Sequence, residues 1–347
     1  MTYDAPGGGP LDLVAAAGVA TTMDGGKGKS AAAATIPGML TRFAFKRRDG
    51  FIGTLLISIG VLAAGCQNSA SDDVAAGRPH DEQASDTTST LRIVSLSPAV
   101  SRTLVALGAE GQVVGRTPFC AALDASIPVA GDIEGADYER LIRLAPTHLL
   151  VQPPIQGIDP ELERLAARKG WALGAWHLDG IAEVRGLIDD LPDLLDAGDG
   201  ALRRRADRLL AALDACVTPD GATPPWSGRT LMLSHVDPPM AFGRGTYLDE
   251  LLGSLGGVNA VEARGWASLT LEDVVRLDPS AIIVVRPGAA TGLMPALVAP
   301  LEGMNVEAVR TGRVAWLGHE DAFLPSAGII DVASDLRRVL DEIGTHR

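Results

Sequence analysis

"YERLIRLAPTHLLVQPP", running from Tyr138 to Pro154, returns as "LEDVVRLDPSAIIVVRP" from Leu271 to Pro287. The copies align without gaps at a separation of 133 residues: Glu139 falls on Glu272, Arg143 on Arg276, Leu144 on Leu277 and Pro146 on Pro279. Each copy reads as a short amphipathic helix stopped by proline, followed by a strand with apolar residues at almost every position. Strands apolar on both faces, beside helices, belong in parallel sheets covered on both sides. The repeat therefore predicts an α/β protein of two similar Rossmann-like lobes with parallel sheets.

Between the copies lies "DGALRRRADRLLAALDACV", Asp199 to Val217. Leu202, Ala206, Leu209, Leu210 and Leu213 form one apolar stripe at helical spacing. Nineteen helical residues span about 28 Å, so residues 197–218 are expected to join the lobes as one long rigid helix. The N-terminal lobe is then 91–196, opening on the strand and Ser-Pro loop of "LRIVSLSPAV". The C-terminal lobe is 228–347, with "TLMLSH" starting its sheet.

Upstream, "FKRRDGFIGTLLISIGVLAAGC" runs from Phe45 to Cys66. Its uncharged part, Phe51 to Gly65, is too short to cross a ~30 Å hydrocarbon core comfortably. A basic n-region, a short apolar run and small residues before the end describe a secretory signal peptide at 39–65. Cys66, directly after Ala63, Ala64 and Gly65, resembles the lipidated cysteine of a bacterial lipobox, although Ala63 stands where leucine is usual. The competing reading is a buried helix ended by a chance cysteine. Residues 1–38 show no sustained period, and Met39 opens a suitable n-region, so they are expected to be an over-extended start. Within them "GGKGKS" (Gly25 to Ser30) lacks the first glycine of a phosphate loop, Met23 standing in its place. Residues 66–90 are polar and rich in Ser, Asp and Thr, which reads as a flexible tether reaching roughly 25–30 Å.

The leader removed, about 280 residues remain, enough for one large or two small domains. A formal charge of −13 argues against nucleic acid as a partner. Cys120 and Cys216 would be free to pair in an exported protein, but two cysteines define no framework.

The lobe start "RIVSLSPAVSRTLVALGAEGQVVG", the helix–Pro–strand repeat, the bridging helix and "YLDELLGSLGGVNAV" together resemble the substrate-binding proteins of ABC importers for vitamin B12, ferric siderophores and haem. The likeness covers Leu91 to Ile343 and agrees with the lipoprotein leader. It implies an extracytoplasmic receptor of the class joined by a rigid helix, lipid-anchored in the cell envelope, periplasmic or on the outer face of the cytoplasmic membrane. It also implies an ABC permease dimer with its ATPase as partner, and a metal-chelate ligand bringing Co or Fe. No intrinsic cofactor is expected. In that family one acidic residue on each lobe docks onto arginines of the two permease subunits, a role that would fall to Glu139 and Glu272. The residues alone make Asp137 and Thr270 N-caps and place both glutamates in first turns, where charge–dipole attraction suffices to explain them.

Ligands of α/β sheets bind beyond the carboxyl ends of strands. The loops there contain Ser97, Phe119, Gln152, Trp176, His177, His235, Phe242, Arg244, Trp266 and His319. By resemblance, Trp266 matches a ligand-stacking tryptophan of the B12-binding branch and Phe119 an aromatic. Two other tryptophan positions of that branch are here Ile133 and Gln152. His177, His235 and His319 each follow an expected strand ("LGAWH", "LMLSH", "AWLGH"), so they are candidate axial ligands of a metal in the bound molecule. The alternative is that they brace loop backbone. His148, at the start of the repeat strand, reads as structural.

A cobalamin-type corrinoid leads as ligand, followed by a ferric siderophore and haem. The rival classes are a structural or signalling lipoprotein that kept the fold, and an enzyme without recognisable motif. The sequence holds no G-x-S-x-G, H-E-x-x-H, complete phosphate loop or C-x-x-C.

Overall fold

The computed structural model describes residues 90–132, 135–195, 200–218, 224–288 and 298–345, which fall in one compact unit. The signal peptide, Cys66, nearly all of the tether and Ile133 lie outside the described residues. Among the described residues no helix is long and apolar enough to cross a membrane.

Strands β1 (Ile93–Ser95), β2 (Val113–Gly115), β3 (His148–Val151) and β4 (Ala172–Ala175) form an all-parallel sheet in the order β2-β1-β3-β4. Helices α1 (Pro98–Leu107), α2 (Tyr138–Leu144) and α3 (Pro160–Lys169) connect them. After α4 (Ile181–Leu195) and α5 (Ala201–Val217) the pattern repeats with β5 (Arg229–Val236), β7 (Val258–Asn259), β9 (Ala281–Arg286) and β10 (Val314–Gly318). These pair in parallel as β7-β5-β9-β10, matching β2-β1-β3-β4 strand for strand. The second sheet has one addition that the sequence did not announce. β6 (Pro239–Phe242) runs antiparallel to β5, and β8 (Trp266–Ser268) runs antiparallel to β6. Helices α6 (Tyr247–Ser254), α7 (Leu271–Leu277), α8 (Glu307–Arg310) and α9 (Ile329–Thr345) complete the chain.

The repeat is visible down to its caps. The Asp137 carboxylate accepts the Arg140 N–H at 2.9 Å, and the Thr270 hydroxyl oxygen accepts the Asp273 N–H at 3.1 Å. At the other ends Ala145 and Asp278 take left-handed φ values of 43° and 39°. Each precedes a proline, which disfavours continuing the helix. The last carbonyls are met by an arginine at the head of each sheet's first strand. Arg92 donates to Leu144 O at 2.7 Å and Ala145 O at 3.2 Å, and Arg229 donates to Leu277 O at 3.0 Å.

Strand alternation sorts the core into layers. Val94, Leu149 and Val151 face an outer cluster with Leu141 of α2 and Leu162 of α3. Leu231, Leu233, Ile282 and Val284 face another with Val274 of α7 and Ala308 of α8. The opposite faces of both sheets (Ile93, Val113 and Leu150; Met232, Ile283 and Val285) meet a single continuous cluster that includes α1, α4, α5, α6 and α9. The expected bridging helix is thus α5, starting at Ala201; residues 197–199 lie outside the described residues. Leu202, Ala206 and Leu213 of its stripe are buried, and Leu209 and Leu210 pack half-buried against the same cluster. Cys120 and Cys216 are both free thiols.

Candidate functional site

The loops at the strand carboxyl ends cross between the two lobes. After β4, Asp179 O accepts the Tyr247 N–H at 2.9 Å, and Ile181 N–H donates to the Glu250 carboxylate at 2.7 Å. This seats the His177 loop on the start of α6, three residues beyond Arg244. On the other side, Arg102 of α1 donates to Asp321 at 2.6 Å, and Ala327 N–H donates to Thr103 Oγ1 at 3.1 Å. Tyr247 closes the same knot by donating its hydroxyl to Ala322 O. Complete burial, and then the charge of nearby Asp321, push its phenol well above the ordinary range.

An aromatic platform grows from the added ribbon. Phe242 of β6 is directly paired with Trp266 of β8, which sets their rings 4.4 Å apart between centroids. Phe323, in the knotted loop after β10, lies 6.0 Å from Phe242 and 6.3 Å from Trp266, edge-on to the latter. Phe242 is fully buried while Trp266 is 43 % exposed. Phe242 therefore supports Trp266 from beneath and offers no surface of its own to a ligand, correcting its place among the contact residues. Gly243 makes the ribbon possible: a Cβ there would collide with the carbonyl oxygens of Ala263 and Gly265. Its N–H donates to Gly265 O at 2.8 Å, and Arg244 N–H to Ala263 O at 2.8 Å. Arg244 itself is exposed, its guanidinium 4.0 Å from Glu262.

The other expected residues take varied roles. Ser97 is buried, caps α1 by accepting the Val100 N–H, and donates to Gln152 Oε1 at 2.9 Å. Gln152 is exposed at the end of β3, and Phe119 is half-buried in the turn after β2. Trp176 is half-buried against the shared core, with Nε1 donating to Asp190 at 3.1 Å.

The three histidines sit at the ends of β4, β5 and β10 but differ in chemistry. His177 is exposed. His235 is redirected by a register shift between Leu233 and His235. Leu233 and Val236 both pack in the outer cluster, so one extra residue lies between them, and His235, paired with Met240, falls on the face of Phe242 and Trp266. Its Nδ1 is buried without a hydrogen-bond partner among the described residues. His319 Nδ1 lies 3.0 Å from the Asp321 N–H and accepts it. That bond engages His319 Nδ1 with its own loop backbone. No group of three His, Cys, Asp or Glu able to hold a metal occurs among the described residues.

Two residues that sequence reasoning passed over belong here. Phe323 could have been found as an aromatic four residues past a strand-end histidine. Arg286 marks where the repeat copies diverge, since Pro153 stands at its place in the first. It ends β9 half-buried, with one guanidinium nitrogen donating to Ser234 O at 3.3 Å. Glu139 and Glu272 lie elsewhere, exposed in the first turns of α2 and α7 on the outward faces of the sheets.

No family model matches the chain, and no curated protein does. Solved structures do. The periplasmic vitamin B12 binding protein BtuF of Vibrio cholerae aligns at TM-score 0.58 and 16 % identity over 73 % of this chain and 98 % of that one. The periplasmic haem-binding protein RhuT from Roseiflexus sp. RS-1 aligns at 0.56 and 19 % over 74 % and 100 %. A possible iron-binding, periplasmic solute-binding protein from Staphylococcus epidermidis aligns at 0.56 and 19 % over 72 % and 97 %. The folded part of this chain, two α/β lobes on a shared helical layer, thus has the fold of the periplasmic binding proteins of the B12, haem and iron type.

Proposed function

We propose that the chain is the extracytoplasmic substrate-binding lipoprotein of an ABC importer, anchored through Cys66, without catalytic activity. It receives a metal-chelate ligand between its lobes, a cobalamin-type corrinoid ahead of a ferric siderophore or haem. The observation carrying the ligand class is Trp266, half-exposed on a rigid bed of Phe242 and Phe323. Such a platform offers a flat apolar face to a large ring at little cost in side-chain ordering. The engaged Nδ1 of His319 favours a ligand whose metal arrives with its coordination shell complete, as in a corrinoid or a ferric siderophore. Arg244 and Arg286 would meet acidic groups on the ligand's periphery. Names of similar structures support the transport reading, since they are periplasmic proteins for B12, haem and iron. Glu139 and Glu272, at matched exposed positions, would dock the receptor on the two halves of the permease.

The test is a titration of the purified chain with cobalamin, haemin and several ferric siderophores, read by tryptophan fluorescence. Quenching by one of them with a Kd of about 1 µM or tighter, lost in Trp266→Phe, is the expected result. Silence toward all three classes would overturn the ligand assignment.

A further inference from the structure

Two of the six large hydrophobic residues exposed among the described residues occupy one position of the internal repeat. Ile142 on α2 and Val275 on α7 are 46 % and 43 % exposed, and both belong to the few large hydrophobic residues left open among the described residues. They are the same position of the repeat, 133 residues apart. Each lies three residues beyond the paired glutamate, so Glu139 with Ile142, and Glu272 with Val275, share a helix face. The preceding residues, Leu141 and Val274, are wholly buried and fix which way each helix faces. One exposed aliphatic side chain needs no explanation, but a matched pair beside matched carboxylates is a pattern.

We infer that Ile142 and Val275 are paired apolar knobs that complete two equivalent docking faces, and that the partner is a protein with two like subunits. Each subunit would present a cationic side chain beside an apolar recess of aliphatic size. The inference rests on the docking role given to Glu139 and Glu272 above and adds what those carboxylates lack. A solvent-exposed ion pair contributes little to association, whereas an apolar contact that excludes water beside it strengthens both. The charge relation commits the faces to a basic partner surface, since neither Glu139 nor Glu272 pairs with an arginine among the described residues. Of the arginines on these helices, Arg140 lies 3.8 Å from Asp137 and Arg276 pairs with Asp273.

The test uses the full chain and the permease–ATPase complex that co-purifies with it from its own membranes, reconstituted in nanodiscs. Ile142→Ser and Val275→Ser should each weaken the complex by about three- to tenfold, and the double variant by roughly the product. Thermal midpoint and ligand Kd should not move, and Val258→Ser, an exposed aliphatic off both helices, should leave the complex unchanged. A double variant within about twofold of the parent, while Glu139→Gln with Glu272→Gln weakens binding, would overturn the knobs and leave the glutamates as the docking groups. Loss from only one knob would overturn the two-subunit geometry. Indifference to both pairs of substitutions would remove the docking face altogether, knobs included.

Discussion

Arg102 Nε sits 2.6 Å from Asp321 Oδ2, tying the first helix of one lobe to the loop that follows the last strand of the other. The Asp321 side chain is only 5 % exposed and Arg102 24 %. The same loop carries His319 and Phe323, so this pair fixes the bed on which Trp266 rests.

Removing the arginine leaves a buried carboxylate uncompensated. Arg102→Ala is expected to lower stability by about 1–3 kcal/mol, discounted from a fully buried pair for its partial exposure. Ligand affinity should fall with it, because Phe323 loses its anchor. Denaturant unfolding and ligand titration of the same preparation check both effects; an unchanged unfolding midpoint would show that the pair is idle.

Trp266 and Phe242 should separate binding from folding. Trp266→Ala, at a half-exposed site, should weaken ligand binding by roughly tenfold or more with little loss of stability. Phe242→Ala empties a buried site and should cost about 3–5 kcal/mol. Equal stability losses in the two variants would contradict the platform geometry.

The lobes, the bridging helix, both N-caps and the pairing of Glu139 with Glu272 were legible because they depend on local periodicity and on a repeat that the sequence states twice. The β6–β8 ribbon was not, since three- and four-residue strands such as "PMAF" and "WAS" carry too few alternations to announce themselves. The register shift at Ser234 was equally hidden. Uniform alternation sets neighbours on opposite faces, and only the packing of Val236 with Leu233 reveals the extra residue. Phe242 was placed in the site by position along the chain, and burial then assigned it a supporting role. The Arg102–Asp321 pair joins residues 219 apart, a contact no local pattern encodes.

His148 should make folding sensitive to mild acid. Its imidazole lies between Thr147 Oγ1 and Leu194 O, at 2.9 and 3.0 Å. Burial holds its pKa below the ordinary 6.5, against the smaller opposing effect of the Leu194 carbonyl. The native state thus resists a proton that the unfolded chain accepts. Stability from this group is complete above pH ~6.5 and declines as pH falls from there through the lower folded value, by up to about 1.4 kcal/mol per unit of depression. In His148→Gln that part of the acid loss should disappear. Identical acid profiles for parent and variant would refute the assignment.

Charge reversal at Glu139 and Glu272 together should abolish uptake through the partner permease while ligand Kd stays within about twofold, since both residues lie off the strand ends. Collapse of ligand binding in the same variant would make them structural.

Cys66→Ser, expressed from the full gene in a bacterial host, should move the protein from the membrane to the soluble fraction. An unchanged distribution would sink the lipid anchor.

The shared helical layer has a consequence for how the protein is made. Ile329, Val332, Leu336, Leu340 and Ile343 of the C-terminal helix α9 pack in the same cluster as Ile93 and Val100, near the start of the folded chain. The first lobe therefore has no complete interior until the final residues are synthesised, and contacts of such long sequence separation form slowly. A nascent chain whose interior waits for its last helix stays open to threading through most of its synthesis, which suits the export proposed for this protein.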